Sequence, residues 1–128
     1  MHDNKHNEPI YHQDIRWPNI IQLPSARDEP SKWIIIDWDD ADGYPNNPVK
    51  HLTPEEHAPE VFQQNHGGEV DMWSVGKLII DASRWIIGLS QSLTQFGRDL
   101  QSDDRPSAKK ALKRFKKIKK KILKEQER

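Results

Sequence analysis

Asp14, Arg16 and Asn19 stand within one short stretch, His12-Gln13-Asp14-Ile15-Arg16-Trp17-Pro18-Asn19. A further carboxylate, Asp37, follows 18 residues after Asn19, at the end of the apolar run Trp33-Ile34-Ile35-Ile36. Carboxylate and amide oxygens are hard donors that suit Mg²⁺. A carboxylate within reach of a hydroxyl can take its proton. A guanidinium stays charged and suits phosphate. A base, a cation on the phosphates and ligands for a metal are the parts that phosphoryl transfer needs. His-x-Asp-x-x-x-x-Asn alone arises often by chance. The β-branched run that delivers Asp37 is what strengthens it.

Three more motifs follow in order: Thr53-Pro54-Glu55-Glu56-His57-Ala58-Pro59-Glu60, Asp71-Met72-Trp73-Ser74-Val75-Gly76 and Arg105-Pro106-Ser107-Ala108. Together the five motifs resemble the C-terminal lobe of a eukaryotic-type protein kinase of the Ser/Thr kind, across residues 10–118. The resemblance implies a mainly α fold with a small β-hairpin, with no N-terminal lobe. It implies ATP and Mg²⁺ as cofactors and a Ser/Thr hydroxyl as acceptor. By the same resemblance Asp14 is the catalytic base, Arg16 the phosphate contact, and Asn19 and Asp37 the Mg²⁺ ligands. Thr53 is expected to touch Asp14 and seat the acceptor. His12 should hold the loop by packing and a hydrogen bond. Asp71 should accept hydrogen bonds from the loop backbone, and Gly76 should allow close packing. Glu60 is expected to form a buried ion pair with Arg105, because a buried carboxylate needs a partner.

The departures are specific. Gln13 stands where such kinases carry the arginine that reads a phosphorylated loop, which argues against that switch. Asp39 replaces the glycine of Asp-Phe-Gly and removes its conformational freedom. Only 34 residues separate Asp71 from Arg105, so the substrate-facing helix is expected to be trimmed. No Gly-rich loop and no strand lysine precede His12. Without those contacts to the phosphates, ATP affinity should fall by several kcal/mol, and the chain alone is expected to be inactive unless a partner supplies the missing lobe. Ile36-Asp37-Trp38 with Ala41 also resembles small-molecule phosphotransferases of the aminoglycoside and choline kinase kind. Those lack the Thr-Pro-Glu-x-x-Ala-Pro-Glu segment and its arginine, which favours the protein kinase. A calcium loop counted from Asp37 fails, with Ala41, Asp42 and Pro48 at its fifth, sixth and twelfth positions.

At 128 residues the chain has room for one domain. It is expected to divide into a disordered stretch over 1–9, the lobe over 10–118 and a basic helical tail over 119–128. Expected elements are a hairpin of Asn19–Leu23 with Trp33–Asp37, an extended loop over 40–57 and a short helix opened by Pro59 over Glu60–Gln64. A buried helix should run from Glu69 to about Gly88, and a short one over 90–101. A last helix should be capped by Asp103 or Asp104, with Pro106 in its first turn. Five tryptophans are many for this length, and Trp33, Trp38, Trp73 and Trp85 lie among aliphatics, where core positions are expected.

There is no cysteine, so no disulfide, thiolate metal site or Cys nucleophile. The six histidines lack regular ligand spacing, and no zinc site is assigned. No apolar stretch suits a membrane span or a signal peptide, which predicts an intracellular protein, cytoplasmic or nuclear. Zero net charge hides a split: residues 109–128 hold 11 Lys/Arg against 2 Glu, and the remainder is acidic. That tail reads as an amphipathic cationic helix. It could bind nucleic acid or an acidic surface, serve as the last helix of the lobe, or lay its lysines on the acidic body.

Overall fold

The computed structural model describes residues 9–126, which fold mainly into helices with two small antiparallel sheets. The predicted disorder of residues 1–9 falls, except for Pro9, outside the described residues. Strand β1 (Ile10–Tyr11) pairs with β4 (Asp42–Gly43). Strand β2 (Ile20–Leu23) pairs with β3 (Lys32–Ile35), with Ile20 opposite Ile35. This is the expected hairpin, and its ladder continues where Ile36 N–H donates to the Asn19 carbonyl (2.8 Å). Asn19 and Asp37 therefore stand at the same end of the hairpin.

Helix α1 (Glu69–Trp85) starts with Glu69 and Asp71 in its first turn and carries Arg84 in its last, as the helix dipole favours. It ends short of Gly88. Ile86 adopts an extended backbone and Gly88 a positive φ of 82°, a conformation glycine takes without strain. Helix α2 (Gln91–Leu100) lies against it. Gly76 and Gly97 let the two backbones meet: a Cβ on Gly76 would lie 2.5 Å from the Gly97 carbonyl oxygen. Helix α3 (Ala108–Gln126) runs unbroken through residue 118. Its cap is Ser107 in place of the expected Asp103 or Asp104. Ser107 Oγ accepts from Lys110 N–H (3.4 Å) and its carbonyl from Ala111 N–H (2.8 Å). Pro106 precedes the first turn.

Two apolar clusters hold these pieces. Phe96 and Leu100 of α2 meet Ala111 and Ile118 of α3, with Met72, Val75 and Ile79 of α1 beside them. Ala58, Val61 and Val70 form the second cluster, joined by Trp73 and Leu52. The Pro59 segment is a 3-10 turn, Pro59–Phe62, that presses Val61 into that cluster.

Trp73 is partly buried, as a core position requires, but Trp33, Trp38 and Trp85 are not in the core. They are 57%, 52% and 67% exposed. Every residue of β3 is exposed as well. The hairpin has no layer packed over it among the described residues, so its apolar side chains have nothing to bury against.

Candidate phosphoryl-transfer site

The loop from His12 to Asn19 is fixed from below by α1. The backbone N–H groups of His12 and Gln13 donate to the two carboxylate oxygens of Asp71, each at 2.8 Å. Burial pushes the Asp71 carboxyl above its ordinary range, although those two N–H donors act in the opposite direction. His12 locks the loop to the hairpin. Its Nε2–H donates to the Ile36 carbonyl (2.8 Å), and Nδ1 accepts from Asp14 N–H (3.0 Å). One neutral tautomer serves both bonds. The ring also packs edge-on against Trp38, 4.6 Å between centroids.

Gln13 does more than mark a missing arginine. It is buried, has a positive φ of 72°, donates from Nε2 to the Asp40 carbonyl (2.7 Å) and meets the His66 ring through Oε1. It thus ties the loop to the segment after Asp37. Asp37 itself has a positive φ of 61°. Non-glycine residues in that region are uncommon, with Asp and Asn the best tolerated, and such strain gathers at functional sites.

Asp14 is buried, and each of its oxygens has a neighbour. Asn19 Nδ2 donates to the Asp14 carbonyl (2.8 Å) and to Oδ2 (3.1 Å). That leaves Asn19 Oδ1 as its atom for a cation. Arg16 Nε lies 3.4 Å from Oδ1, and its Nη1 donates to Glu56 (3.2 Å). The third neighbour is His57, with Nε2 2.6 Å from Oδ1. Here the structure corrects the sequence. Thr53 was expected on Asp14, but its hydroxyl lies 3.5 Å from His57 Nδ1 and its carbonyl accepts from that nitrogen (2.8 Å). Thr53 makes no hydrogen bond to Asp14, because the buried His57 ring stands between them. Both ring nitrogens of His57 thus lie against oxygens, the Thr53 carbonyl on one side and Asp14 Oδ1 on the other. No local pattern singled out His57, whose partner is 43 positions away.

Asp14, Arg16, Asp37, Asp39, Asp40, Thr53 and His57 line one open cleft of about 600 Å³, with Glu55, Glu56 and His51 at its edge. Carboxylates dominate the cleft, and His51 pairs with Asp40 (3.0 Å). Among the described residues no three His, Cys, Asp or Glu side chains form a metal cage. The donor set still fits Mg²⁺, which keeps most of its waters and needs one or two carboxylates plus phosphate oxygens. An anionic nucleotide would meet repulsion from these carboxylates unless such a cation came with it.

Below the cleft, Arg105 grips Glu60 with both terminal nitrogens, Nη2 to Oε1 (2.8 Å) and Nη1 to Oε2 (3.4 Å). Nη1 also donates to the Glu69 carbonyl at the start of α1 (2.8 Å). The expected pair is formed. The Arg105 side chain is 7% exposed and that of Glu60 28%, so the pair is only partly buried.

No known protein-family model matches the chain. A curated protein, calcium-dependent protein kinase 5 of Plasmodium berghei (strain Anka), is 34% identical over 77 residues, which is 58% of this chain. Over that stretch the chain is similar to part of that kinase. The chain spans 13% of that protein's length. Among the described residues no helix is long and apolar enough to cross a membrane.

Proposed function

We propose that residues 10–118 are the C-terminal lobe of a Ser/Thr protein kinase-like domain, which carries the acceptor side of an ATP-dependent phosphotransferase. Asp14 is the base for the acceptor hydroxyl. Asp37 and Asn19 Oδ1 hold Mg²⁺, which would screen the phosphates and draw charge from the leaving oxygen. Arg16 turns from Glu56 to the γ-phosphate. Thr53 acts on Asp14 through His57.

The observation that carries this is the suspension of the Asp14 loop. Asp71 holds its backbone from α1, His12 ties it to the hairpin that ends at Asp37, and Asp14 and Asp37 share one cleft. The Glu60–Arg105 pair favours a protein kinase over a small-molecule phosphotransferase, which lacks both partners. The chain alone binds nucleotide weakly and turns over no substrate.

Titration of the purified chain with ATP, followed by NMR, tests this. Binding should be Mg²⁺-dependent, with a Kd of about 1 mM, and should vanish in Asp37→Asn. Equal binding without Mg²⁺, or in the variant, would overturn the assignment. Robust phosphorylation of a generic Ser/Thr peptide by the chain alone would overturn its inactivity.

A further inference from the structure

Helix α3 holds nine lysines and one arginine, and its single acidic residue is Glu125 in the last turn. All nine lysines are exposed. Lys109, Lys113, Lys117, Lys120 and Lys124 recur at steps of four, four, three and four, so they form one row along the helix. At a rise of about 1.5 Å per residue the row is about 22 Å long. Ala111 and Ile118 lie on the opposite side, buried with Phe96 and Leu100 of α2. The row therefore faces away from the body. Among the described residues the acidic body gives this helix one ion pair, Asp99 with Arg114 (2.7 Å), and none of the lysines lies on a body carboxylate.

Lysines are at ease in water, so their exposure alone calls for no partner. Their arrangement is what costs stability. Like charges four apart on a helix repel, as Lys109 and Lys113, Lys113 and Lys117, Lys116 and Lys120, and Lys120 and Lys124 must do. Lys109 and Lys110 also stand in the first turn, where the helix dipole disfavours cations. A line of anions along the row relieves both costs at once. Duplex nucleic acid carries one charge per about 1.7 Å of its axis, so each lysine of a straight row meets a phosphate in any register. We propose that the exposed face of α3 binds the phosphate backbone of a nucleic-acid duplex without reading its sequence.

Other partners fit this face less well. The row presents lysine alone, with no Asn or Gln to read a base edge. Single strands are gripped by stacking on aromatic rings. Phe115, the one aromatic of α3, is on the core side, stacked with Phe96 (6.3 Å). A helix that lies in a bilayer surface inserts its apolar stripe, and here Ala111 and Ile118 of that stripe are buried. An acidic protein would have to match its carboxylates to the row, whereas a duplex needs no register. The proposal is independent of any catalytic role for Asp14.

The test titrates the full chain into fluorescein-labelled short duplexes of two unrelated sequences and reads anisotropy. At physiological salt the Kd should be about 1–100 μM for both. With about six phosphates neutralised, log affinity should fall against log salt with a slope of about −5. The triple variant Lys113→Gln, Lys117→Gln, Lys120→Gln should cut that slope by about 3 and weaken binding at least about tenfold. These side chains face solvent and repel one another, so the helical signal should not fall. A control, Arg27→Gln, Lys32→Gln, Lys50→Gln, removes the same charge from exposed positions elsewhere. It should leave the affinity within about twofold. No binding at low salt, a slope near zero, or equal losses in the two triple variants would overturn the proposal. So would a preference of more than about tenfold between the two sequences, or tighter binding to phosphatidylserine–phosphatidylcholine vesicles or polyglutamate at the same salt.

Discussion

His57 is the residue on which the Asp14 carboxylate rests. It fills the space between the Thr53 carbonyl and Asp14 Oδ1, and it is buried. Replacing it with leucine keeps the volume and removes the donor. A buried carboxylate oxygen would then keep only the longer Arg16 contact. His57→Leu should lower stability by about 1–3 kcal/mol, read from the urea midpoint, and His57→Gln should restore part of it. An unchanged midpoint would mean the pair is not formed. Asp71 gives a second case, through pH. Burial raises its folded pKa above the unfolded value near 3.8. Its protonated form is thus favoured by folding. That contribution is full below the unfolded pKa and is lost as pH rises through the folded one. The stability gap between wild type and Asp71→Asn should therefore shrink from acid toward neutral pH in a series of urea melts. A gap that widens would show that the two backbone N–H bonds outweigh burial. Asp14, Asn19 and Asp71 were legible because short motifs announce them. His57 and Gln13 were not, because their partners come from segments distant in sequence and no local pattern records a tertiary contact.

At the scale of elements, α1 and α2 touch through glycine. Gly76 was expected to permit close packing, and its partner Gly97 supplies the other half of the contact. A methyl group at Gly76 would press on the Gly97 carbonyl at 2.5 Å and on Leu100 Cβ at 2.9 Å. Backbone on one side and a fully buried leucine on the other leave little room to yield. Gly76→Ala should cost about 1–3 kcal/mol by thermal or urea unfolding, despite the better helix propensity of alanine. A stabilised variant would show that the helices can separate without loss. Periodicity and turn residues revealed the hairpin and the three helices, because those signals are local. The tryptophans misled for a related reason. Sequence neighbours say that a side chain is apolar, but not whether a second layer exists to cover it. Trp33 belongs to a two-stranded ribbon open to solvent, and Trp38 to the exposed segment just after it. Such ribbons are marginal alone and gain stability only when something packs on them.

Across the whole molecule, one contact joins segments that no element connects. Arg105 comes from the turn between α2 and α3, Glu60 from the 3-10 turn before α1, and the Glu69 carbonyl from the first residue of α1. The guanidinium thus fixes the second apolar cluster, with Val61 and Val70, to the helical layer. The five-motif pattern made this pair readable, since one partner is uninformative without the other. Its strength follows from burial. A fully buried pair broken on one side costs about 3–5 kcal/mol. Glu60 is 28% exposed, so water can rescue part of its charge. Arg105 is 7% exposed and holds a backbone carbonyl too, so losing it is worse than losing its partner. Arg105→Met should therefore destabilise more than Glu60→Gln. The double variant should be less damaged than the sum, with a coupling of about 1–3 kcal/mol in a double-mutant cycle. Additive effects would mean that the two side chains do not meet in solution. The Asp14 loop would then lose no support when either is changed, because Asp71 at the head of α1 would be held by other contacts.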